Sequence, residues 1–470
     1  LGHALNRLAE RNRDSRDFTL NSHTHALREV IACFPVYRTY IDGRTPEVAL
    51  QDRACVEVAV AFAKRRNPAT DISVFDFVRD VLLLRYPENA DETYRETQRA
   101  LVRKFQQLTA PVTAKGVEDT AFYRFNRLVS LNEVGGEPDR FGTSLEEFHK
   151  QCQTRQQKWP VGLSTTSTHD TKRSEDVRAR IHVLSEIPQE WRVAVGRWHR
   201  YNRRHLIQVE GRQAPDRNDE YLLYQTLVGT WPLAPMGPQD AKTFTTRIQN
   251  YMLKAAKEAK VNTSWINPNQ PYDEALRSFV ARALDPGPGN RFLPDFVSFH
   301  RFIAPLGMVN ALAQTLIKIT APGLPDFYQG TELWDFSLVD PDNRRPVDFA
   351  LRAALLEELR ERIAGGDLAE LARELTEQWE DGRIKFYTIH RALTHRRLVH
   401  EVYQMGEYIP LPTGGSSSGH LCAFARRKGS RVVLIVAPRL VAGLTDNGAR
   451  LPLGREVWGD TWVALPGGLP

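Results

Sequence analysis

The sequence predicts an α/β fold with large helical insertions, on three observations. Short β-branched runs end in polar residues, long stretches of helical periodicity lie between them, and from about residue 400 the texture changes to alternating strands. Strand-then-helix units that feed polar loops match the last part of a (β/α)8 barrel, where residues at the C-terminal ends of strands do the chemistry. Pattern alone supports the α/β class; the barrel needs motifs.

The chain opens on Leu1, Leu5 and Leu8 at helical spacing. It starts with Leu rather than Met inside that pattern, so it reads as the back part of something longer. Phe34–Ile41 (FPVYRTYI) is aromatic and β-branched and closes on Asp42-Gly43, which predicts a strand and turn. Thr45-Pro46 supplies an N-cap and a proline for the first helical position. Val56, Val60 and Ala63 continue one helical face, Phe75, Val78 and Leu82 mark the next helix, and residues 91–108 a third. Ser144-Leu-Glu-Glu147 is a capping box opening another. Residues 161–170 (VGLSTTSTHD) suit a buried strand that delivers a site at its C-terminal end. Residues 186–285 are helical, with aromatic stripes Trp191, Val195, Trp198 and Tyr221, Tyr224, Val228. Asp285-Pro-Gly-Pro-Gly-Asn290 ends them as a hinge. An apolar helix follows over Phe302–Thr315, then the short run LIKIT (Leu316–Thr320). Helices return over 348–398. CAFAR, RVVLIVAP and REVWGDTWVALP, with PTGGSSSG as a flexible turn, complete a small antiparallel β module.

At 470 residues the chain is long enough for about three domains or one elaborated barrel. With 41% hydrophobic and 26% charged residues, it is neither disordered nor fibrous. No apolar run approaches the ~20 residues of a membrane span, and LGHALNRLAE is no signal peptide. Cys33, Cys55, Cys152 and Cys422 are scattered without metal-ligand spacing and read as reduced, partly buried thiols of a cytoplasmic protein. The net charge of +6 is small for this length. Its basic clusters are short and dispersed, which speaks against nucleic acid as a partner.

Three segments carry candidate chemistry. In Ser164–Asp176 (STTSTHDTKRSED), His169 and Asp170 stand side by side at the end of the expected strand. A carboxylate there favours an oxocarbenium-like transition state, and both groups bond sugar hydroxyls. Lys172 and Arg173 are close enough to hold Asp170 ionised. The alternative is that Asp170 simply caps the following helix. In Ala321–Glu332 (APGLPDFYQGTE) and Leu338–Asp348, prolines and glycines fix a rigid wall. There Tyr328 can stack on a sugar and Asp342, Asn343 and Arg344 can bond hydroxyls. The alternative is a packing corner with a buried Tyr and Glu332 paired to an Arg. Thr113–Arg124 and Asn132–Pro138 (NEVGGEP) form either a lid or an internal salt-bridge network. No GxSxG, P-loop, HExxH or GxGxxG context is found.

Taken together, AKGVEDTAFYRFNRL, STTSTHDTKRSEDVRAR and PGLPDFYQGTELWDFSLVDPDNRRPVDF, in that order, resemble the maltooligosyltrehalose synthase family of the α-amylase superfamily. The resemblance runs from FPVYRTYI to the β module. It implies the C-terminal part of a (β/α)8 TIM barrel with large helical insertions, plus a C-terminal antiparallel β domain. Residues 1–44 would hold the strand-six region, 45–160 an insertion, 161–185 strand seven and its site loop. Residues 186–290 would be a second insertion, 291–398 strand eight and closing helices, and 399–470 the β domain.

The implied activity converts the reducing-end α-1,4 linkage of a maltooligosaccharide or α-1,4-glucan to an α,α-1,1 linkage, by retaining intramolecular transglycosylation. By resemblance, Asp170 stabilises the transition state and His169 binds the same ring. Lys172, Arg173, Tyr328, Lys115, Glu118, Asp119 and Tyr123 are the further substrate-binding candidates. The family's nucleophile and acid/base lie upstream of FPVYRTYI, and no matching segment is found, so the chain is expected to be an inactive fragment. No cofactor, metal or membrane is implied; a trehalose-releasing hydrolase would act next. A 4-α-glucanotransferase or hydrolase on the same scaffold, or a non-catalytic glucan-binding protein, are the other readings.

Overall fold

The computed structural model describes residues 1–45, 47–445 and 450–465. Two compact units divide the chain, Leu1–Ala121 and Phe122–Pro470. The first is built from α1 (Gly2–Glu10), α2 (Leu20–Ala32), α3 (Leu50–Arg66), α4 (Ile72–Leu82) and α5 (Glu92–Thr113). Side-chain oxygens start three of these helices by pairing amides that the helix itself leaves orphaned. Thr19 accepts from Ser22 at 3.2 Å, Asp71 from Ser73 at 2.9 Å and Asp91 from Tyr94 at 2.6 Å. Leu5, Leu8, Val56, Val60, Ala63, Phe75, Val78 and Leu82 share one core, so the spacing in the sequence marks the packed faces.

Two expectations fail in this unit. Phe34–Ile41 forms no strand. Phe34 and Ile41 do pack in the core, but Ile41 finds its backbone partners on a side chain. Gln106 accepts from the Ile41 amide at 2.7 Å and donates to its carbonyl at 2.9 Å, replacing a neighbouring strand. Nor does Thr45 cap a helix, because α3 starts at Leu50 behind Ala49; Pro46 lies outside the described residues.

The second unit continues with α6 (Leu145–Lys158), β1 (Leu163–Ser164), α7 (Glu175–Val183), α8 (Pro188–Asn202), β2 (Ile207–Val209), β3 (Arg212–Ala214), α9 (Arg217–Thr230), α10 (Pro238–Ala259), α11 (Gln270–Ala283), α12 (Phe292–Thr320) and β4 (Leu324–Pro325). Ser144 opens α6 as read, accepting from the Glu147 amide at 3.1 Å. Trp198 is the centre of the core, edge-on to Tyr224 of α9 and to Phe292, Phe296 and Phe299 of α12. By length and composition α12 is apolar enough to cross a bilayer, yet 61% of its apolar window is buried within the protein. LIKIT is its last turn and a half. Asp285–Asn290 is a connector rather than a hinge, since the helices it joins feed one core. The stretch 186–285 is not all helix: β2 and β3 form a hairpin whose turn residues Glu210 and Gly211 both have positive φ.

β1 and β4 pair in parallel, Leu163 with Leu324 and Ser164 with Pro325. The expected buried strand over 161–170 shrinks to these two residues, and Leu163 is 78% exposed.

α13 (Phe349–Ala364), α14 (Leu368–Glu377), α15 (Arg383–Leu398) and α16 (His400–Met405) lead to the β module: β5 (Glu407–Pro410), β6 (Thr413–Gly414), β7 (Leu421–Lys428), β8 (Arg431–Pro438), α17 (Arg455–Trp458) and β9 (Trp462–Val463). β5, β7 and β8 form an antiparallel sheet in that order, and β6 pairs with β9. CAFAR and RVVLIVAP are its two long strands. REVW instead turns helical, with the Trp458 indole donating to Pro452 O at 2.9 Å, and Pro466 at the end of that run lies outside the described residues. All four cysteines are free; Cys152 and Cys422 pack in one cluster with Tyr408 and Phe424.

Candidate functional site

The segment between β1 and α7 is a turn held by its own hydroxyls. Thr165 Oγ1 donates to Ser167 O at 2.7 Å, Thr171 Oγ1 donates to Thr168 O at 3.0 Å, and Thr168 Oγ1 accepts from the Asp170 amide at 3.2 Å. The helix begins at Glu175, whose amide donates to Ser167 Oγ at 2.9 Å. Asp170 therefore caps nothing. Its side chain is 57% exposed, with Lys172 Nζ at 3.9 Å. His169 beside it is exposed as well.

Below this tip lies a buried ionic block. Lys385 Nζ of α15 sits 2.7 Å from Glu175 and 2.9 Å from Asp176, while Lys318 of α12 reaches Glu175 at 3.4 Å and Thr166 Oγ1 at 2.9 Å. Burial alone would raise both carboxyls. Two ammonium groups outweigh it at Glu175 and hold that group below its ordinary value. Asp176 shares only Lys385 and stands beside another carboxylate, so burial pushes it up. Asp176 also accepts from the Asp335 amide at 2.8 Å, which ties the stretch after β4 to α7. The second half of STTSTHDTKRSED is thus an anchor, and only its first half faces outward.

The rigid wall meets the tip. Asn343 Nδ2 donates to His169 O at 2.9 Å, and Tyr328 OH donates to Asn343 O at 3.3 Å. His169, Asp170, Lys172, Tyr328 and Asn343 are thereby brought together. Other candidates have structural partners. Arg173 is 2% exposed. Its guanidinium turns inward to Val129 O at 3.1 Å and Tyr251 OH at 2.8 Å. Asp342 is gripped by Arg247 at 2.7 Å and Arg344 pairs with Asp340 at 2.7 Å. Glu332 pairs with Arg352 at 2.9 Å, as the packing-corner alternative requires, but Tyr328 is only half-buried.

Lys115, Glu118 and Asp119 belong to the first unit. They lie on and just after a π-helical turn, Ala114–Glu118, that extends α5. Lys115 and Asp119 bond at 2.5 Å, and buried Glu118 accepts from Tyr37 OH. Tyr123 opens the second unit from inside its core, 3% exposed. Among the described residues no group of three His, Cys, Asp or Glu could hold a metal ion.

Sequence reasoning missed Lys318, Lys385 and the part played by Glu133. Lys318 left a signal, being the one cation inside the apolar run LIKIT. Lys385 left none, because a lysine in an amphipathic helix is ordinary. Glu133 lay in the NEVGG motif and turns out to be internal: it pairs with Arg178 of α7 at 3.3 Å.

No family model matches the chain. A Mycobacterium tuberculosis protein named maltooligosyl trehalose synthase is 38% identical over 365 residues, 78% of this chain and 41% of its own length. The solved maltooligosyltrehalose synthase of Arthrobacter ramosus superposes with a TM-score of 0.74 at 34% identity, over 98% of this chain and 51% of its own. A Sulfolobus tokodaii structure titled a hypothetical maltooligosyl trehalose synthase gives 0.66 at 29% identity, over 93% and 52%. The chain spans about half the length of these relatives. Across that half it is similar to members of the maltooligosyltrehalose synthase family.

Proposed function

We propose that the chain supplies the sugar-holding wall of an enzyme that rearranges the reducing end of a maltooligosaccharide or α-1,4-glucan. The reaction exchanges the terminal α-1,4 linkage for an α,α-1,1 linkage, as a retaining intramolecular transfer. The observation that carries the reading is the meeting of three elements at one tip. His169 and Asp170 stand free of capping duty, and Asn343 and Tyr328 close beside them.

Asp170 would bond the hydroxyls of the ring at the cleaved bond and favour its positive charge, while Lys172 keeps an ammonium near that carboxylate. His169 would donate to the same ring, and Tyr328 would offer it an aromatic face. The released glucose must then turn and attack through its anomeric hydroxyl, so water has to be kept out and the glucose kept oriented. Retaining sites hold two carboxyls ~5–5.5 Å apart. None of the residues here is assigned to that pair, and the reading leaves it to the part of the relatives that this chain does not span.

The finer fold reading is a (β/α)8 barrel with β1 and β4 as its seventh and eighth strands. Their parallel pairing supports it, and so does the position of His169–Asp170 beyond the C-terminal end of β1. A cytoplasmic setting and a trehalose-releasing hydrolase as the next enzyme belong to the same proposal. Titration calorimetry of the chain with maltopentaose, alongside a reducing-end assay, tests it. Saturable binding without loss of reducing ends supports the reading; no binding overturns it.

A further inference from the structure

Glu133 reaches the candidate site from a separate part of the chain. Its Oε1 accepts from the Lys172 amide at 2.8 Å, and its Oε2 from the Arg173 amide at 3.3 Å. These are the second and third amides after Asp170, from a stretch 39 and 40 residues further along the sequence. The Arg178 guanidinium closes the far side of the same carboxylate at 3.3 Å, and the Glu133 side chain is only 13% exposed.

The surrounding turn is built to present it. Asn132, 1% exposed, donates to Phe122 O at 2.8 Å and Phe125 O at 2.7 Å. The Gly136 amide returns to Glu133 O at 2.7 Å. A Cβ at position 136 would lie 2.8 Å from both Glu133 O and Leu131 O, so only glycine closes this turn. Asn-Glu-Val-Gly-Gly is thus a bracket that sets a carboxylate on the backbone behind Asp170.

We propose that Glu133 is the positioning residue of the His169–Asp170 tip. It clamps the amides of Lys172 and Arg173 so that Asp170 keeps its place relative to Lys172 and the Asn343 wall. The inference rests on the sugar-site reading above and adds to it the residue that sets the tip's shape. Removing the carboxylate leaves three amides (Val134, Lys172 and Arg173) and a guanidinium short of an acceptor. The turn then re-forms around other partners, and a shift of about 1 Å at such a tip is enough to lose ten- to a hundredfold in a bound geometry.

The test uses the full 470-residue chain and the variants Glu133→Gln, Glu133→Ala and Asp170→Asn. Maltopentaose affinity is read by calorimetry, melting by circular dichroism, and the Lys172, Arg173 and Asp170 amides by 15N-correlated NMR. The expected result is that Glu133→Ala weakens maltopentaose binding about tenfold while melting stays cooperative, with Glu133→Gln, which keeps one acceptor oxygen, in between. The Lys172 and Arg173 amide resonances, which report the two clamped hydrogen bonds, should move in Glu133→Ala and less so in Glu133→Gln. A purely structural role would lower the melting temperature without moving affinity or the Asp170 amide. Wild-type affinity in Glu133→Ala overturns the proposal, as does an unmoved Asp170 resonance. Should the wild type bind no maltopentaose, the sugar-site reading fails by itself, and the amide shifts still decide whether Glu133 positions the tip.

Discussion

At the scale of single residues, the motif around Asp170 divides by neighbours only one or two positions apart. Asp170 is exposed, Lys172 is buried beneath it, Arg173 turns into the core, and Glu175 and Asp176 vanish into an ionic block. The sequence singled out the segment and not which way its residues face, because a turn has no periodicity from which to read direction. The case of Asn343 shows what was legible: its polar loop was read as a hydroxyl-binding wall, and its amide does stand at the tip. Asn343→Ala removes the hydrogen bond to His169 O. It should cost about 1 kcal/mol of stability and weaken maltopentaose binding several-fold, checked by urea denaturation and calorimetry. Asp170→Asn should leave the denaturation midpoint unchanged, since Asp170 caps no helix and is half in solvent, while reducing maltopentaose affinity by at least tenfold. An equal loss of stability would mean that Asp170 is an anchor after all.

At the scale of elements, helices were the legible part. Stripes at 3–4 spacing and side-chain caps are local, so α3, α4 and α5 stand where the spacing put them and α6 where its cap put it. Strands were not legible, because a strand is defined by its partner. Phe34–Ile41 has strand composition but meets the Gln106 side chain, and REVW turns helical for want of a pairing edge. The hairpin of β2 and β3 did leave a signal in Glu210-Gly211, a turn dipeptide that was passed over inside a helical stretch. Helix α7 carries two testable loads. Lys385→Met strands Glu175 and Asp176 without their shared cation, and should destabilise the protein by about 3–5 kcal/mol in denaturant. His182, also on α7, is held by burial and by Arg178 at about 4, below its ordinary 6.5. Between those values the unfolded chain takes up a proton that the folded chain refuses. Stability is therefore intact above pH 6.5 and falls as the pH drops toward 4, by up to about 3 kcal/mol. His182→Gln should flatten that part of the stability–pH curve, and an unchanged slope would place the titration elsewhere.

For the molecule as a whole, the candidate residues fall in both units. The second brings together His169, Asp170, Lys172, Tyr328 and Asn343, while Lys115 and Asp119 lie at the end of the first. The parallel pair β1 and β4 is short, and Leu163 stays open to solvent. Parallel sheets are ordinarily covered on both faces, and in this pair one face is left uncovered at Leu163. Saturation-transfer NMR with maltopentaose tests the central claim most directly, because it reports both whether sugar binds and which ring is held. The account predicts strong transfer to the reducing-end glucose, lost in Asp170→Asn, with the reducing-end anomeric signals undiminished over hours. No transfer, or transfer confined to the non-reducing end, would contradict it.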